Sequence, residues 1–251
     1  MKWIKKLPII RIFMRWYEYI TCLAPLQEFD DYDSYWQSRH ANGYIVRELD
    51  RFRIIANKLE GNESVLDIGC GDCSFQVYLK KVKPNCKTLG IDTSEKAIQI
   101  GKSWECTAQI LDQSLSLRNQ IIEQWDVITI MEVIEHIPDA ESLMKQIIEL
   151  KPKKIFITIP NVGCLKHRAR LMLGGRFPIT TIIYHMREHL RFWTVKDFEQ
   201  WADSFGLEIK SIHGQFGHGD RIIEWFVRKF PTLFATQLVY ELNFKDDITD
   251  K

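Results

Sequence analysis

The 251-residue chain is 45% hydrophobic and 27% charged, the proportions of a soluble globular protein with length for one well-buried α/β domain and some additions. Its 34 basic and 33 acidic residues leave a formal charge of +1, which excludes broad electrostatic attraction to nucleic acid and confines any basic patch to a local stretch. Six cysteines are scattered, and only Cys70 and Cys73 have CxxC spacing, with no companion pair; this is the pattern of free thiols in a reducing cytoplasm, so neither a disulfide framework nor a metal is expected.

The first stretch, MKWIKKLPIIRIFMRWYEYI, alternates Lys2, Lys5, Lys6, Arg11 and Arg15 with Trp3, Ile4, Ile9, Ile10, Phe13 and Trp16. Arg11 and Arg15 interrupt the apolar run and no small-residue cleavage site follows, so it does not read as a signal peptide. No segment is apolar for long enough to span a bilayer. Two readings stay open for this arm: packing on the domain, or lying flat on the anionic inner face of a membrane. Arm and following lid take up residues 1–45, and the main domain residues 46–230.

From residue 64, short apolar runs alternate with amphipathic stretches. SVLDIG (64–69), KTLGID (87–92), CTAQIL (106–111), WDVITIM (125–131) and KIFITIP (154–160) read as five strands. DCSFQVYLKKV, SEKAIQIGK with Ser94 as N-cap, and DAESLMKQIIEL after Pro138 read as the helices between them. Strands separated by helices predict a doubly wound, mostly parallel α/β sheet covered on both faces. The pattern breaks at 161–193, rich in Arg, His, Gly and aromatics, which predicts an inserted cap over the sheet edge. A helix, TVKDFEQWADSFG, follows, and then LEIKSIH and RIIEWFVR are expected as two late strands, with residues 231–251 left as a tail.

In an open parallel sheet, ligands bind beyond the carboxyl ends of the strands. Gly69 and Gly71 stand where the first strand passes to the first helix, a place that needs a tight turn and a close backbone. With Ser74 small enough for the third position of GxGxxG, a nicotinamide dinucleotide competes for this turn. Asp67, at the end of the first strand, weighs against an anionic pyrophosphate and suits an ammonium group. Asp92 ends the second strand, where a carboxylate accepts both ribose hydroxyls, and Asp112, after the third, suits an exocyclic adenine amine. Ammonium, ribose and adenine in that order describe S-adenosylmethionine.

VLDIGCGD, LGIDTS, ILD and WDVITIMEVIEHIPD resemble, in order, the motifs of class I S-adenosylmethionine-dependent methyltransferases, over residues 64–160. The resemblance implies a seven-stranded Rossmann-like sheet with an antiparallel last strand. It implies that Asp67, Gly69 and Gly71 contact the methionine part, Asp92 and Thr93 the ribose, and Asp112 the adenine, with Met131 and Glu132 lining the crevice. Cys73 stands where many relatives have a further glycine. YDSYWQSRH is similar to a lid segment of such enzymes, implying that Tyr35 and Arg39 close over the cofactor; packing of an aromatic helix is the other reading.

Residues 159–206 are similar to MetW-like methyltransferases and to relatives from bacterial surface-polysaccharide clusters. MEVIEHIPD departs from MetW and resembles ubiquinone-type O-methyltransferases, which favours the polysaccharide relatives. A MetW-like module that binds the cofactor without turnover is the alternative. If the acceptor is a hydroxyl, His136 and His189 are the candidate bases, with Glu135 or Glu188 orienting them. Lys166, His167, Arg168, Arg170 and Arg176, with Arg187 and Arg191, form a basic run suited to gripping an anionic acceptor, such as a phosphorylated, nucleotide-linked or phosphoramidate-type glycan precursor. A solvated basic helix face is the plainer reading.

Overall fold

The structure, a computed structural model, describes residues 8–22, 31–41, 43, 45–46, 48–178, 189–217 and 221–245. Strands β1 (Ser64–Ile68), β2 (Lys87–Asp92), β3 (Ala108–Ile110), β4 (Val127–Met131), β5 (Lys154–Pro160), β6 (Leu207–Gly214) and β7 (Gln237–Phe244) form one sheet in the order β3-β2-β1-β4-β5-β7-β6. All neighbours up to β5 are parallel, and β7 runs antiparallel to both β5 and β6. The chain builds outward from β1 to β3, then returns to lay β4 against the other side of β1. That reversal opens a crevice between the carboxyl ends of β1 and β4.

The sheet is buried on both faces, and the two-residue period of the strands divides the core. Val65, Val127, Phe156 and Val239 point to one side, against Phe52 and Ile55 of α3 (Asp50–Ala56) and Phe75 and Leu79 of α4 (Ser74–Val82). Leu66, Ile128, Ile157 and Tyr240 point to the other, against Met144 and Ile147 of α7 (Ala140–Glu149) and Phe198 of α9 (Val195–Asp203). Each such side chain contributes about 1.5–3 kcal/mol by leaving water, which fixes the strand register and the positions of the strand tips. Ser94 caps α5 (Glu95–Ser103) as its sequence predicts, its side chain accepting from Ala97 N. α6 (Leu117–Gln120) fills the turn between β3 and β4.

Two expectations need correction. RIIEWFVR is not a strand: residues 221–229 form helix α10 (Arg221–Lys229), followed by the short α11 (Pro231–Phe234). The last strand is β7, within the stretch expected as a tail, so the sheet extends to Phe244 rather than ending near 230. A short apolar run fits either period, and here Ile222, Trp225, Phe226 and Lys229 recur at helical spacing.

The described part of the arm, α1 (Pro8–Thr21), packs on α8 (Leu165–Gly174), the first helix of the insertion. Residues 1–7 lie outside the described residues, as do 179–188 of the insertion. No helix among the described residues is long and apolar enough to cross a membrane.

Candidate active site

The turn after β1 is built on left-handed backbone. Gly69 and Gly71 have φ of 72° and 53°, a region that costs glycine nothing. Cys73, at the position where the resemblance expects glycine, takes φ 62° and keeps the bend; it is fully buried against Gly101, where an added Cβ would lie 2.4 Å from its sulfur. The amides of Gly69 and Cys70 both donate to Ile91 O, tying the turn to the end of β2. All six cysteines are free thiols.

Two of the three strand-tip aspartates converge on this turn. Asp92 accepts from Gly71 N at 2.8 Å and from Ser94 N at 2.9 Å, so it braces the turn while each oxygen keeps a lone pair for a ligand hydroxyl. Burial raises its pKa, against those amide bonds, which lower it. Asp67 is buried; one oxygen accepts from Thr129 Oγ1 at 2.6 Å, and the other has no hydrogen-bond partner among the described residues. Burial pushes its pKa up to about 7, opposed by the Thr129 bond and reinforced by the charge of Asp92. An acidic group that is buried and half-satisfied is what a ligand ammonium would complete. Asp112 differs: its carboxylate is exposed and bonded to Ser114 of its own turn. Thr93 is exposed beside Asp92, and Met131 is half-buried against the core.

The lid helix α2 (Tyr32–Arg39) is capped by Asp31 and packs on α5. Its Asp33 accepts from Ser94 Oγ and from Lys96 N, so the lid is pinned to the cap residue of α5. Trp36 lies directly on the turn: a Cβ on Gly71 would be 2.3 Å from its ring. Arg39 stacks its guanidinium on Tyr35 and Trp36, 5.2 and 5.4 Å from the ring centroids. His40, just past the helix, bonds Asp72 of the turn at 3.0 Å, both buried. Trp36, Asp33 and the His40–Asp72 pair are the lid contacts that motif matching misses; an aromatic next to Tyr35 is the one local signal, since His40 and Asp72 lie 32 residues apart.

At the end of β4, Glu132 takes a left-handed φ of 57°, a strained conformation for a non-glycine residue. Its carboxylate accepts from Thr158 Oγ1 at 2.9 Å and from Gln237 Nε2 at 2.7 Å, which fixes it to β5 and β7. The next turn, a 3₁₀ turn at Ile134–His136, brings together residues far apart in sequence. The His136 and His189 rings meet edge to face with centroids 4.2 Å apart. Leu190 N and Arg191 N donate to Glu135 O, clamping the end of the insertion onto this turn. Ligand-type atoms of Glu135, His136 and His189 all lie within 4.8 Å of one another. Glu135 is fully buried, and neither carboxylate oxygen has a hydrogen-bond partner among the described residues. Burial and the charge of Glu132 raise its pKa well above the usual value.

The basic run is mostly spent on structure. His167 is buried and pairs with Tyr19 Oη of α1; burial, with Lys166 and Arg170 beside it, pushes its pKa down to about 4. Arg170, also buried, donates to the carbonyls of Tyr19, Cys22 and Phe177, closing the end of α1. Arg191 makes a two-pronged pair with Glu141, both distances 2.6 Å. Arg168 donates to Gly163 O at 2.5 Å and is otherwise exposed. Arg187 and Glu188 lie outside the described residues.

A family model described as a methyltransferase domain matches residues 35–212. Among curated proteins, the chain is 28% identical over 160 residues to a ubiquinone biosynthesis O-methyltransferase of Coxiella burnetii, covering 61% of this chain and 67% of that one. It is 24% identical to the enzyme of the same name from Pseudoalteromonas translucida, over 76% and 84% of the two chains. Among solved structures, magnesium protoporphyrin IX methyltransferase from Synechocystis with bound S-adenosylhomocysteine superposes with a TM-score of 0.54 at 14% identity, over 94% of this chain and 99% of that one. The plantazolicin methyltransferase BpumL, also with S-adenosylhomocysteine, gives 0.55 at 18% identity, over 86% and 89%. These likenesses replace the nicotinamide reading of the glycine turn. With the domain matched from lid to β6 and the bent glycine turn, the bracing Asp92 and the half-satisfied Asp67 in place, the chain belongs to the methyltransferase-domain family and is an enzyme that takes its methyl group from S-adenosylmethionine.

Proposed function

We propose that the enzyme methylates a hydroxyl oxygen of a small-molecule acceptor held at Glu135, His136 and His189. The observation that carries this reading is the meeting of those three side chains at the tip of β4, next to the cofactor crevice. The chemistry is an in-line displacement: an O–CH3 bond forms, the S–CH3 bond breaks, the sulfonium becomes a neutral thioether, and the hydroxyl proton passes to an imidazole. Alignment of oxygen, methyl and sulfur supplies most of the rate, and the base removes the proton as the bond forms.

A second reading of the same three residues is favoured by the two Glu135 oxygens that have no hydrogen-bond partner among the described residues. Two imidazoles and a carboxylate within 4.8 Å are a donor set for a divalent first-row cation. Bound there, a cation would make the acceptor hydroxyl more acidic. This departs from the expectation of no metal, which considered cysteines alone. Binding of Mn2+ followed by its electron paramagnetic resonance separates the two: capture by the wild type and loss in His189→Ala support the cation, whereas no capture leaves the imidazoles as bases.

For the acceptor, the sequence expectation is an anionic precursor or modification of a surface polysaccharide, for which Lys166 and Arg168 are described cations of the run left exposed. The curated relatives are named for ubiquinone biosynthesis, which supports a lipophilic quinone precursor instead. Release of S-adenosylhomocysteine is the assay, with hydroxylated quinone precursors in one panel and phosphosugars and nucleotide sugars in the other. Turnover in either panel supports O-methylation. A product methylated on nitrogen or carbon overturns it.

A further inference from the structure

We propose that α1, α8, α10 and α11 form a membrane-docking face that seats on anionic lipid headgroups. The four helices are contiguous: α1 packs on α8, α8 touches α11, and α11 packs on α10.

Helix α10 is mounted the wrong way round for a helix that meets only water. Its polar side faces the protein: Arg228 pairs with Asp50 at 2.7 Å and donates to Gly214 O at 2.8 Å. Its apolar side faces out, with Ile222 67% and Trp225 56% exposed, and Val227 the one buried residue of the helix. An amphipathic helix in a globular protein turns its apolar stripe to the core; the reverse mounting leaves that stripe for something else. Exposed apolar side chains recur on the helices packed beside it: Phe226 and Phe230 around the α10–α11 junction, Met172, 77% exposed, on α8, and Phe13, 70% exposed, on α1. Single exposed apolar side chains are ordinary, but an extended patch marks an interaction surface.

Charge decides the occupant. Arg168, Arg221 and Lys229 are exposed on these helices. Helix α8 carries no acidic residue, Glu224 of α10 is paired with Arg228, and Glu18 of α1 is the exposed acid among the described residues of these helices. Lys229 recurs at the helical spacing of Ile222 and Phe226, so cation and apolar groups share a face. In a two-fold dimer each patch meets its own copy, which sets these cations against each other. Anionic headgroups neutralise them, while tryptophan and phenylalanine enter the acyl boundary. The face also adjoins the acceptor side: Asn161, at the carboxyl end of β5, donates to Thr232 O and Ala235 O around α11. Docking therefore presents the acceptor side to the bilayer, whichever acceptor the enzyme takes.

The test is co-sedimentation of the full chain with vesicles of phosphatidylcholine alone and of an equimolar mixture of phosphatidylcholine and phosphatidylglycerol. The wild type is expected to pellet with the mixed vesicles, and the double variant Ile222→Glu, Trp225→Glu to partition about tenfold less or weaker still. Arg221→Glu with Lys229→Glu is expected to remove the preference for phosphatidylglycerol. Unchanged S-adenosylhomocysteine affinity in each variant shows that the fold is intact, since these residues are exposed and outside the crevice. Failure of the wild type to bind either vesicle overturns the proposal. So does a wild-type dimer in light scattering that the first double variant converts to monomer, which would identify a second copy as the occupant.

Discussion

Asp67 and Asp92 stand at adjacent strand tips, the first buried and the second half-buried. Asp67, with its pKa near 7 against an ordinary 3.8, binds more protons in the folded state than in the unfolded one between those values. Stability of the cofactor-free protein is therefore expected to fall as pH rises from about 4 to about 7 and to level above that, and Asp67→Asn to lose that part of the slope. Chemical denaturation at several pH values measures this; an equal slope in both proteins would contradict it. The ammonium group of the cofactor favours the charged carboxylate, so binding near pH 6 is expected to release a proton from Asp67. Calorimetry in two buffers of different ionisation enthalpy reads that release directly. Asp92→Ala is expected to weaken cofactor binding by about 1.5–3 kcal/mol, as for hydrogen bonds to a charged group; unchanged affinity would remove Asp92 from the ribose. His136→Ala or His189→Ala is expected to slow turnover by about 10²–10⁴-fold, the usual effect of losing a positioned base.

Whole elements are held by polar contacts as much as by apolar ones. Arg170 ties the end of α1 to α8 through the carbonyls of Tyr19 and Cys22, and its buried guanidinium also holds Phe177 O of the insertion. Arg170→Ala leaves those carbonyls unmatched and is expected to destabilise the fold by about 2–4 kcal/mol in urea denaturation, without changing cofactor affinity. An equal loss of affinity would place Arg170 in the binding site. The same residue shows where sequence reading stops. Lys166 to Arg170 has the composition of an anion grip, and only the docking of α1, more than 140 residues earlier, reveals that Arg170 and His167 face a helix. Elements bounded by local chemistry were readable: β1, β2, β4 and β5 stand within two residues of their apolar runs, and Ser94 caps α5. Elements whose placement depends on distant partners were not. QLVYELNF becomes a strand because it pairs with β5 and β6, while RIIEWFVR, equally apolar, forms a helix whose Arg228 pairs with Asp50.

At the scale of the molecule, one reversal of strand order creates the crevice between the carboxyl ends of β1 and β4. The glycine turn, Asp67 and Asp92 were readable because each sits at a fixed offset from a strand end. His136 and His189 were readable as single candidates, but their meeting with Glu135 depends on Leu190 and Arg191 bonding back to the 3₁₀ turn, a contact no local pattern encodes. Trp36 on Gly71 is likewise a product of the lid folding onto the sheet. The proposed division of labour assigns the half of the rim at β1 and β2 to the nucleoside, and the half at β4 and the end of the insertion to the acceptor. A crystal structure of the complex with S-adenosylhomocysteine tests this most directly. The expected result is ribose hydroxyls on Asp92, the ammonium group by Asp67, and the sulfur turned toward Glu135, His136 and His189. A sulfur turned away from those three residues, or a nucleoside bound off the glycine turn, would contradict it.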